Sequence, residues 1–210
     1  MSRTANKEKE TIVLPKPCKD EVEKYLEKWN FSEDLENYRL QESSLDKLFF
    51  ELCPQNNKIE DILLKVAALN DFYSTNIFSV YPVAKHILSL NIDDLLKKGD
   101  ESIVAKIQGV TISNTEKQFY SFASKYCSHH NPKKFPIYDS YVDRVLRYFR
   151  NVDAFAKFQN EDLKNYSKYK LILIDFCKYY DLESYSLKQI DQYLWLLGKK
   201  FFPKTYGKRK

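Results

Sequence analysis

The sequence predicts an all-α protein. Along most of the chain, apolar residues recur every three or four positions, as on the buried face of an amphipathic helix, while the β-branched runs are too short for a dominant sheet. Only 4 of the 210 residues are glycine, which disfavours strand-rich folds with many tight turns. Because 43% of the residues are hydrophobic and 15% are aromatic, the chain can bury a sizeable core. We therefore expect about ten helices.

The spacing of apolar residues predicts where the helices lie. The first helix is marked by the i, i+3, i+4, i+7 pattern of Val22, Tyr25, Leu26 and Trp29. Later helices are predicted over residues 32–52, 57–70, 101–108, 113–127, 140–149, 168–180 and 187–199, with two shorter ones between residues 74 and 99. Residues 1–16 are polar and lack the apolar core of a signal peptide, so we expect a flexible arm there.

The start of the helix over residues 113–127 is predicted by a capping box. In the segment S-N-T-E, the Ser113 hydroxyl accepts a hydrogen bond from a backbone amide of the first turn, and the Glu116 carboxylate accepts one from the amide of Ser113. This places Lys117 on the first turn of the helix.

Basic residues are concentrated in two stretches of the chain, which has a net charge of +5. Residues 198–210 carry six basic and no acidic residues, and residues 117–150 carry seven basic residues against Asp139 and Asp143. Basic patches with neighbouring aromatic residues favour nucleic acid as a partner. The alternative is a solvated surface of mixed charge on a lysine-rich protein.

Several function classes lack the motifs they need. The glycine-rich nucleotide loops G-x-x-x-x-G-K-[ST] and G-x-G-x-x-G are missing. Apolar runs are short and interrupted by charges, so we expect no membrane span and a cytoplasmic or nucleoid-associated protein. The four cysteines are widely scattered, and His129 and His130 have no partner at ligand spacing, which indicates reduced, packed thiols and no metal site.

One region has an order of features that composition does not explain. The predicted helix over residues 101–108 leads into Gly109-Val110, and the next helix carries Lys117. After a loop, Asp139 stands between apolar residues at the start of the following helix. This order resembles the helix-hairpin-helix DNA glycosylases, the superfamily of endonuclease III and 8-oxoguanine DNA glycosylase.

The resemblance extends over roughly residues 59–200 and is specific over 105–148. By position, Gly109-Val110 resemble the family's L-P-G-V-G hairpin, Lys117 its catalytic lysine and Asp139 its invariant aspartate. Residues 63–70 are similar to the family's first core helix, and residues 190–198 to its late helix with a W-x-x-x-G-like pattern.

The resemblance implies a two-lobed helical fold for residues 17–200. In it, the N- and C-terminal helices pack together around a core formed by residues 59–148, and a basic tail follows over residues 201–210. Hairpin amides and nearby lysines would bind DNA, at Gly109, Val110, Thr111, Ser113, Asn114, Lys133 and Lys134. Base flipping or the base pocket would involve Asn70, Phe72, Tyr73, Tyr138 and Trp195. A core role is the alternative for Phe72, Tyr73 and Trp195.

Two departures from the family pattern bear on this interpretation. Thr111 replaces the second hairpin glycine, and the link to Lys117 is longer than usual. The cysteine cluster of some members is missing, so we expect no iron–sulfur cluster and no other cofactor.

The chemistry of base excision fits the residue types. Cleaving an N-glycosidic bond develops positive charge on the sugar, which a fixed carboxylate near C1′ stabilises while it activates water. Asp139 is the candidate, and a simple N-cap role is the alternative, although one residue can serve both roles. Attack by Lys117 on C1′ would add strand cleavage. The favoured interpretation is that Lys117 is merely exposed, which makes the enzyme monofunctional.

The sequence therefore predicts a monomeric DNA glycosylase that binds double-stranded DNA, flips out a modified base and hydrolyses its N-glycosidic bond. One alternative is a catalytically inactive DNA-binding module on the same fold, which Thr111 favours and Asp139 disfavours. The other is a helical interaction protein. Oxidised, alkylated, deaminated and deliberately modified bases all remain open as substrates.

Overall fold

The computed structural model of the protein describes residues 12–203, and this part of the chain is mostly helical. Its ten α-helices are α1 (Lys19–Phe31), α2 (Glu36–Asp46), α3 (Ile59–Tyr73), α4 (Val80–Ser89), α5 (Asp93–Lys98), α6 (Ser102–Gln108), α7 (Tyr120–His130), α8 (Ser140–Asp153), α9 (Tyr166–Tyr179) and α10 (Leu187–Phe201). Short 3-10 helices cover Glu33–Leu35 and Asn160–Lys164, and a π-helical segment covers Lys47–Leu52. The predicted all-α class is confirmed for this part of the chain, apart from one antiparallel ribbon of β1 (Gly109–Ile112) and β2 (Thr115–Gln118).

Two groups of helices share the core. The C-terminal helix α10 packs against α1 and α8, while α3, α4, α6 and α7 pack on one another. Aromatic rings join the two ends of the chain, with Tyr25 and Tyr193 centroids 5.5 Å apart. None of the helices within residues 12–203 is both long and apolar enough to cross a membrane.

Part of the predicted N-terminal arm packs on the helical fold. Leu14 is buried, and its backbone amide donates to the Tyr148 hydroxyl at 3.1 Å, so residues 12–16 are held against α8. Residues 1–11 of the predicted arm and residues 204–210 of the predicted basic tail lie outside the described residues.

The prediction that a helix begins at Ser113 is wrong. Ser113 and Asn114 have φ of 48° and 61°, the left-handed pair that makes a type I′ turn between two strands. Val110 faces Lys117 across the ribbon, and α7 begins only at Tyr120. The β-branched residues before the turn and the tolerance of asparagine for positive φ explain why a hairpin forms where a capping box was expected.

Helix α7 is buried over more than two consecutive turns. Every residue from 122 to 129 is shielded from solvent, so the polar side chains among them must find partners inside the protein. This helix carries Lys125 into the interior. The next helix, α8, begins at the N-cap Asp139, whose carboxylate accepts the amide of Tyr141 at 2.8 Å.

Gly198 sets the distance between α10 and the start of α8. A Cβ at this position would lie 2.7 Å from the Tyr141 Cβ and 2.8 Å from the Tyr141 carbonyl oxygen. Because one of these neighbours is backbone, the two helices must separate before any larger residue fits.

We expect Gly198→Ala to lower the free energy of unfolding by about 1–3 kcal/mol, as overpacking in a core does. Urea denaturation measures this change. Gly109→Ala is the matched control, because a Cβ there would approach only side-chain ends, at 3.4 Å or more, and its φ of −90° suits any residue. Equal stability of the two variants would contradict this account of the α8–α10 contact.

Candidate active site

A cavity of about 360 Å³ lies among α1, α2, the end of α3, α7, the start of α8 and α10. Its aromatic lining consists of Trp29, Tyr38, Phe72, Tyr73, Tyr141 and Trp195. Its ionisable lining consists of Glu42, Lys125, Asp139, Asp191 and Lys199. The cavity thus combines flat apolar walls with a small number of convergent charged groups, as small-molecule sites do.

Lys125 and Asp139 form an ion pair in this cavity. The Lys125 Nζ lies 3.5 Å from Asp139 Oδ2, and the Lys125 side chain is almost fully buried. The same amine donates to the Ser121 hydroxyl at 2.7 Å and to the Tyr138 carbonyl at 3.1 Å. It also lies 5.2 Å from the centre of the Tyr73 ring. These contacts hold an amine and a carboxylate side by side.

The loop before Asp139 is fixed by its backbone carbonyls. Tyr166 donates to the Pro136 carbonyl at 2.8 Å, and Tyr169 donates to the Ile137 carbonyl at 2.5 Å. Burial raises the pKa of both tyrosines well above the ordinary value, so they remain donors. The third carbonyl, that of Tyr138, accepts a hydrogen bond from the buried amine of Lys125. Three consecutive carbonyls are therefore bonded, and the carboxylate that follows them is rigidly placed.

Asp191 is a second carboxyl of the cavity, carried by α10. Within the described residues, no donor lies within hydrogen-bond distance of its buried Oδ1. Burial, followed by the nearby charge of Asp139, raises the pKa of Asp191 to about 8 against the opposing effect of Lys125. The same side chain also lines a smaller adjoining cavity of about 20 Å³. At neutral pH Asp191 is thus a carboxylic acid in a cavity that also holds the side chains of Asp139 and Glu42.

A hydrogen bond and an ion pair in series support the Tyr73 wall of the cavity. The Tyr73 hydroxyl lies 3.0 Å from His129 Nε2, and Asp46 Oδ1 lies 3.9 Å from His129 Nδ1. The hydrogen bond from His129, with further attraction from Lys188, lowers the pKa of Asp46. Burial raises the pKa of Tyr73 well above the ordinary value.

Trp195 is the centre of the aromatic wall. Its ring lies 5.0 Å from Tyr38 and 6.1 Å from Trp29, both edge-on. The Lys199 amine lies 4.7 Å from the centre of the Trp195 ring and 2.8 Å from the Tyr38 hydroxyl, to which it donates. This wall offers a face on which a flat heterocycle can stack.

The structure brings together part of the sequence-predicted site. Asp139, Phe72, Tyr73 and Trp195 all line the cavity. Asp139 is also the N-cap that the alternative interpretation expected.

Three of the predicted residues lie elsewhere. Lys117 is exposed on β2, outside the cavity lining, because the helix expected to carry it is a strand. Tyr138 is buried with its hydroxyl donating to Asp143 at 2.8 Å, so only its carbonyl faces Lys125. Asn70 lies in α3 and holds the following loop, accepting the Ile77 amide at 2.9 Å and donating to the Ile77 carbonyl at 3.0 Å.

The predicted DNA-binding residues occupy the ribbon and one loop. Gly109, Val110 and Thr111 lie in β1, where Val110 is buried and Thr111 is exposed, while Ser113 and Asn114 form the exposed turn. Lys133 and Lys134 are exposed in the loop that follows α7, and the Lys134 stem packs on Gly99. None of these residues lines either cavity.

Sequence reasoning missed Lys125 and Asp191. A weak signal was present for Lys125, which is the only charged residue in the stretch from Gln118 to Ser128. Asp191 follows the apolar Ile190 and lies one helical turn before Trp195. In both cases the charge sits on a helix face that its neighbours mark as buried.

A second buried lysine belongs to the scaffold. The Lys65 amine donates to the Gln55 carbonyl at 2.9 Å and to Asn56 Oδ1 at 2.7 Å, and it lies 3.4 Å from His130 Nε2. Burial lowers the pKa of Lys65 to about 8 and that of His130 well below its ordinary value. His129 and His130 thus serve different networks, and the described residues contain no group of three potential ligands suited to a metal ion.

Comparisons with known proteins place the chain in a family. The family model described as HI_0787_N, N-terminal domain, matches residues 21–134, which include Lys125 and end before Asp139. An uncharacterized protein of Haemophilus influenzae is 54% identical over 148 residues, which cover 70% of this chain and 71% of that protein. No solved structure matches the chain.

Proposed function

This chain belongs to the HI_0787_N family, and we propose that it is a DNA glycosylase that excises a modified base from duplex DNA. The observation that carries the proposal is the Lys125–Asp139 pair, 3.5 Å apart, in an aromatic-lined cavity. The resemblance noted for residues 105–148 supports it further through Asp139.

Asp139 supplies the central chemistry. Departure of the base leaves positive charge on the sugar, and a carboxylate held beside C1′ stabilises that charge without reorganising. The same oxygen accepts the proton of the attacking water. The hydrogen bond from the Tyr141 amide leaves Asp139 Oδ2 directed toward Lys125 and the cavity.

The cavity suits an extruded base. Its volume of about 360 Å³ exceeds that of one heterocycle, and Trp195 and Phe72 present aromatic surfaces on which a base can stack. Lys199, close to Trp195, adds positive charge at this wall. Base flipping delivers a planar ring into such a pocket.

A flipped base leaves a gap in the duplex, and a side chain that fills this gap is called a wedge. We assign the wedge to Phe78 and not to residues 70–73. Phe78 is 97% exposed, and it follows Ser74, which lines the cavity, by four residues. Its loop is held by Asn70, so the ring is presented from a fixed backbone. An apolar ring inserted between base steps replaces the stacking that flipping removes.

We expect Phe78→Ala to slow base release from duplex DNA by about tenfold or more, because unstacking a base costs a few kcal/mol that the wedge offsets. Single-turnover kinetics on duplex and single-stranded substrates measure the effect, which should be small on single strands. Leu171→Ala, another exposed apolar residue on α9, is the control for a general loss of surface apolar area. If Phe78→Ala slowed base release equally on duplex and single-stranded DNA, Phe78 would not be the wedge.

Strand cleavage is a second candidate activity, favoured by the amine in the cavity. An unprotonated Lys125 that attacks C1′ would displace the base and lose one proton to Asp139. Opening of the sugar ring at the C1′–O4′ bond, with return of that proton to O4′, would then form an iminium ion. Elimination from that intermediate breaks the strand without alkali.

The test of the proposed function is base release from duplexes and phage genomes that carry modified bases, read as alkali-labile breaks. A glycosylase gives breaks with at least one substrate. Salt-dependent DNA binding without breaks would favour the inactive DNA-binding module, and binding to no DNA would favour the helical interaction protein.

A further inference from the structure

We propose that Asp191 is a second catalytic residue of this site, whose protonated carboxyl donates its proton to the departing base. The substrate class is consequently an uncharged modified base rather than a cationic alkylated purine. This inference rests on the proposed function and deepens it.

The Asp191 carboxyl is placed where it can meet a group bound in the cavity. Asp191 lies in the lining of the same cavity as Asp139 and Lys125, and its Oδ1 is buried without a hydrogen-bond partner among the described residues. An unpartnered buried oxygen costs free energy that a ligand can recover. Asp139 is paired with Lys125, whereas this oxygen of Asp191 is left for a group that enters the cavity.

Two carboxyl groups in one site divide into an acid and a base when their surroundings differ. Asp139 lies 3.5 Å from the amine of Lys125 and accepts a hydrogen bond from the amide of Tyr141. Burial, with the charge of Asp139 nearby, raises the pKa of Asp191 to about 8. At neutral pH, Asp191 is therefore the carboxyl that holds a transferable proton.

The charged groups around Asp191 come from every neighbouring element. They are Glu42 and Asp46 of α2, Tyr73 of α3, Lys125 and His129 of α7, Asp139 at the start of α8, and Lys188 on α10 itself. Most of them pair with one another: Lys125 with Asp139, and Lys188 with Glu42 and Asp46. Two lysines thus face three carboxylates, and Lys199 in the cavity lining adds a third positive charge, so the site has no net negative charge to attract a cationic base.

The proposed step balances as a hydrolysis. As the C1′–N bond breaks, its electron pair moves onto the base, and the Asp191 proton joins a ring nitrogen or carbonyl oxygen of that base. Water adds to C1′ and loses one proton to Asp139. The products are the free base and an abasic sugar, and proton exchange with solvent restores the acid and the carboxylate.

The requirement for this acid depends on the leaving group. An uncharged base departs as an anion unless it is protonated, whereas 7-methylguanine is already cationic and departs neutral. General acid catalysis contributes about 10²–10⁴-fold where it is needed. Asparagine at position 191 keeps the shape of the side chain and can donate a hydrogen bond, but it cannot transfer a proton.

The experiment compares wild type with Asp191→Asn on duplexes that each carry uracil, hypoxanthine, 8-oxoguanine or 7-methylguanine. We expect wild type to release at least one uncharged base faster than 7-methylguanine, with a rate that falls as the pH rises through about 8. Asp191→Asn should release that base about 10²-fold or more slowly than wild type, and its rate should no longer depend on pH in this range. Asp175→Asn, an exposed carboxylate on α9, is the matched control and should behave as wild type.

A binding measurement separates catalysis from a structural role. A duplex with a tetrahydrofuran abasic analogue has no base to protonate, so wild type and Asp191→Asn should bind it equally. Weaker binding by the variant, or release of the uncharged base within about threefold of wild type, would overturn the role of Asp191. Faster release of 7-methylguanine than of every uncharged base would overturn the substrate class. An inactive wild type would instead defeat the proposed function itself.

Discussion

Asp139→Asn is expected to reduce base release by about 10²–10³-fold, the loss that follows removal of one preorganised group from a charged transition state. The physical reason is that an amide neither stabilises the positive sugar nor accepts the proton of water. Asparagine is as good an N-cap as aspartate, so α8 should keep its start and the protein its stability. Single-turnover base release, measured beside urea denaturation, tests both statements.

The matched control for this variant is Asp181→Asn. Asp181 is exposed and has a φ of 56°, a conformation that asparagine tolerates, so the same chemical change is made without strain. Unchanged base release by Asp139→Asn, in a folded protein, would reduce Asp139 to the N-cap that its local geometry already explains.

If the enzyme also has the second candidate activity, strand cleavage, Lys125→Gln is expected to abolish the adduct that borohydride traps between the enzyme and DNA. Borohydride reduces an iminium ion to a stable amine, so trapping reports directly on attack by a lysine at C1′. The variant also leaves Asp139 without its amine and removes a donor from the Tyr138 carbonyl. We therefore expect the free energy of unfolding to fall by about 1–3 kcal/mol.

Lys117→Gln distinguishes Lys117 from Lys125 as the attacking amine. Because Lys117 is exposed on β2 and does not line the cavity, this variant should form the adduct as wild type does. A trapped adduct with Lys125→Gln that is lost with Lys117→Gln would reverse the assignment. A wild type that releases base and forms no adduct would make the enzyme monofunctional.

The fold class was predictable because helix formation leaves a local trace in the sequence. The 3.6-residue periodicity located most of the helices, and α3 differs from its predicted range only by beginning two residues later and ending three residues later. The later end places Phe72 and Tyr73 within α3 and leaves Phe78 as an exposed ring of the following loop. The boundary between helix and loop therefore decides which aromatic residue is the candidate wedge.

The hairpin was not predictable from the capping pattern alone. The segment from Ser113 to Glu116 satisfies the rules for a helix start and also those for a turn, and the ribbon pairing of the flanking residues decides between them. Lys117 therefore lies on a strand and not on the first turn of a helix, although it is exposed, as the favoured interpretation expected.

Asp139 could be predicted because its position depends on a neighbouring helix start. Prediction of Lys125 and Asp191 as site residues requires knowledge of which helix faces pack against each other. A single sequence does not give that packing. Their charges are visible in the sequence, whereas their burial and their shared cavity arise from the packing of α7 and α10 around the start of α8.

The most direct test of the account is to measure free base and abasic sites together, after wild-type protein acts on modified duplex DNA. Mass spectrometry quantifies the free base, and alkali-induced breaks quantify the abasic sites. The account predicts that the two appear in equal amounts and that both disappear with Asp139→Asn. DNA that is bound by the wild type while neither product forms, across oxidised, alkylated, deaminated and phage-modified bases, would contradict it.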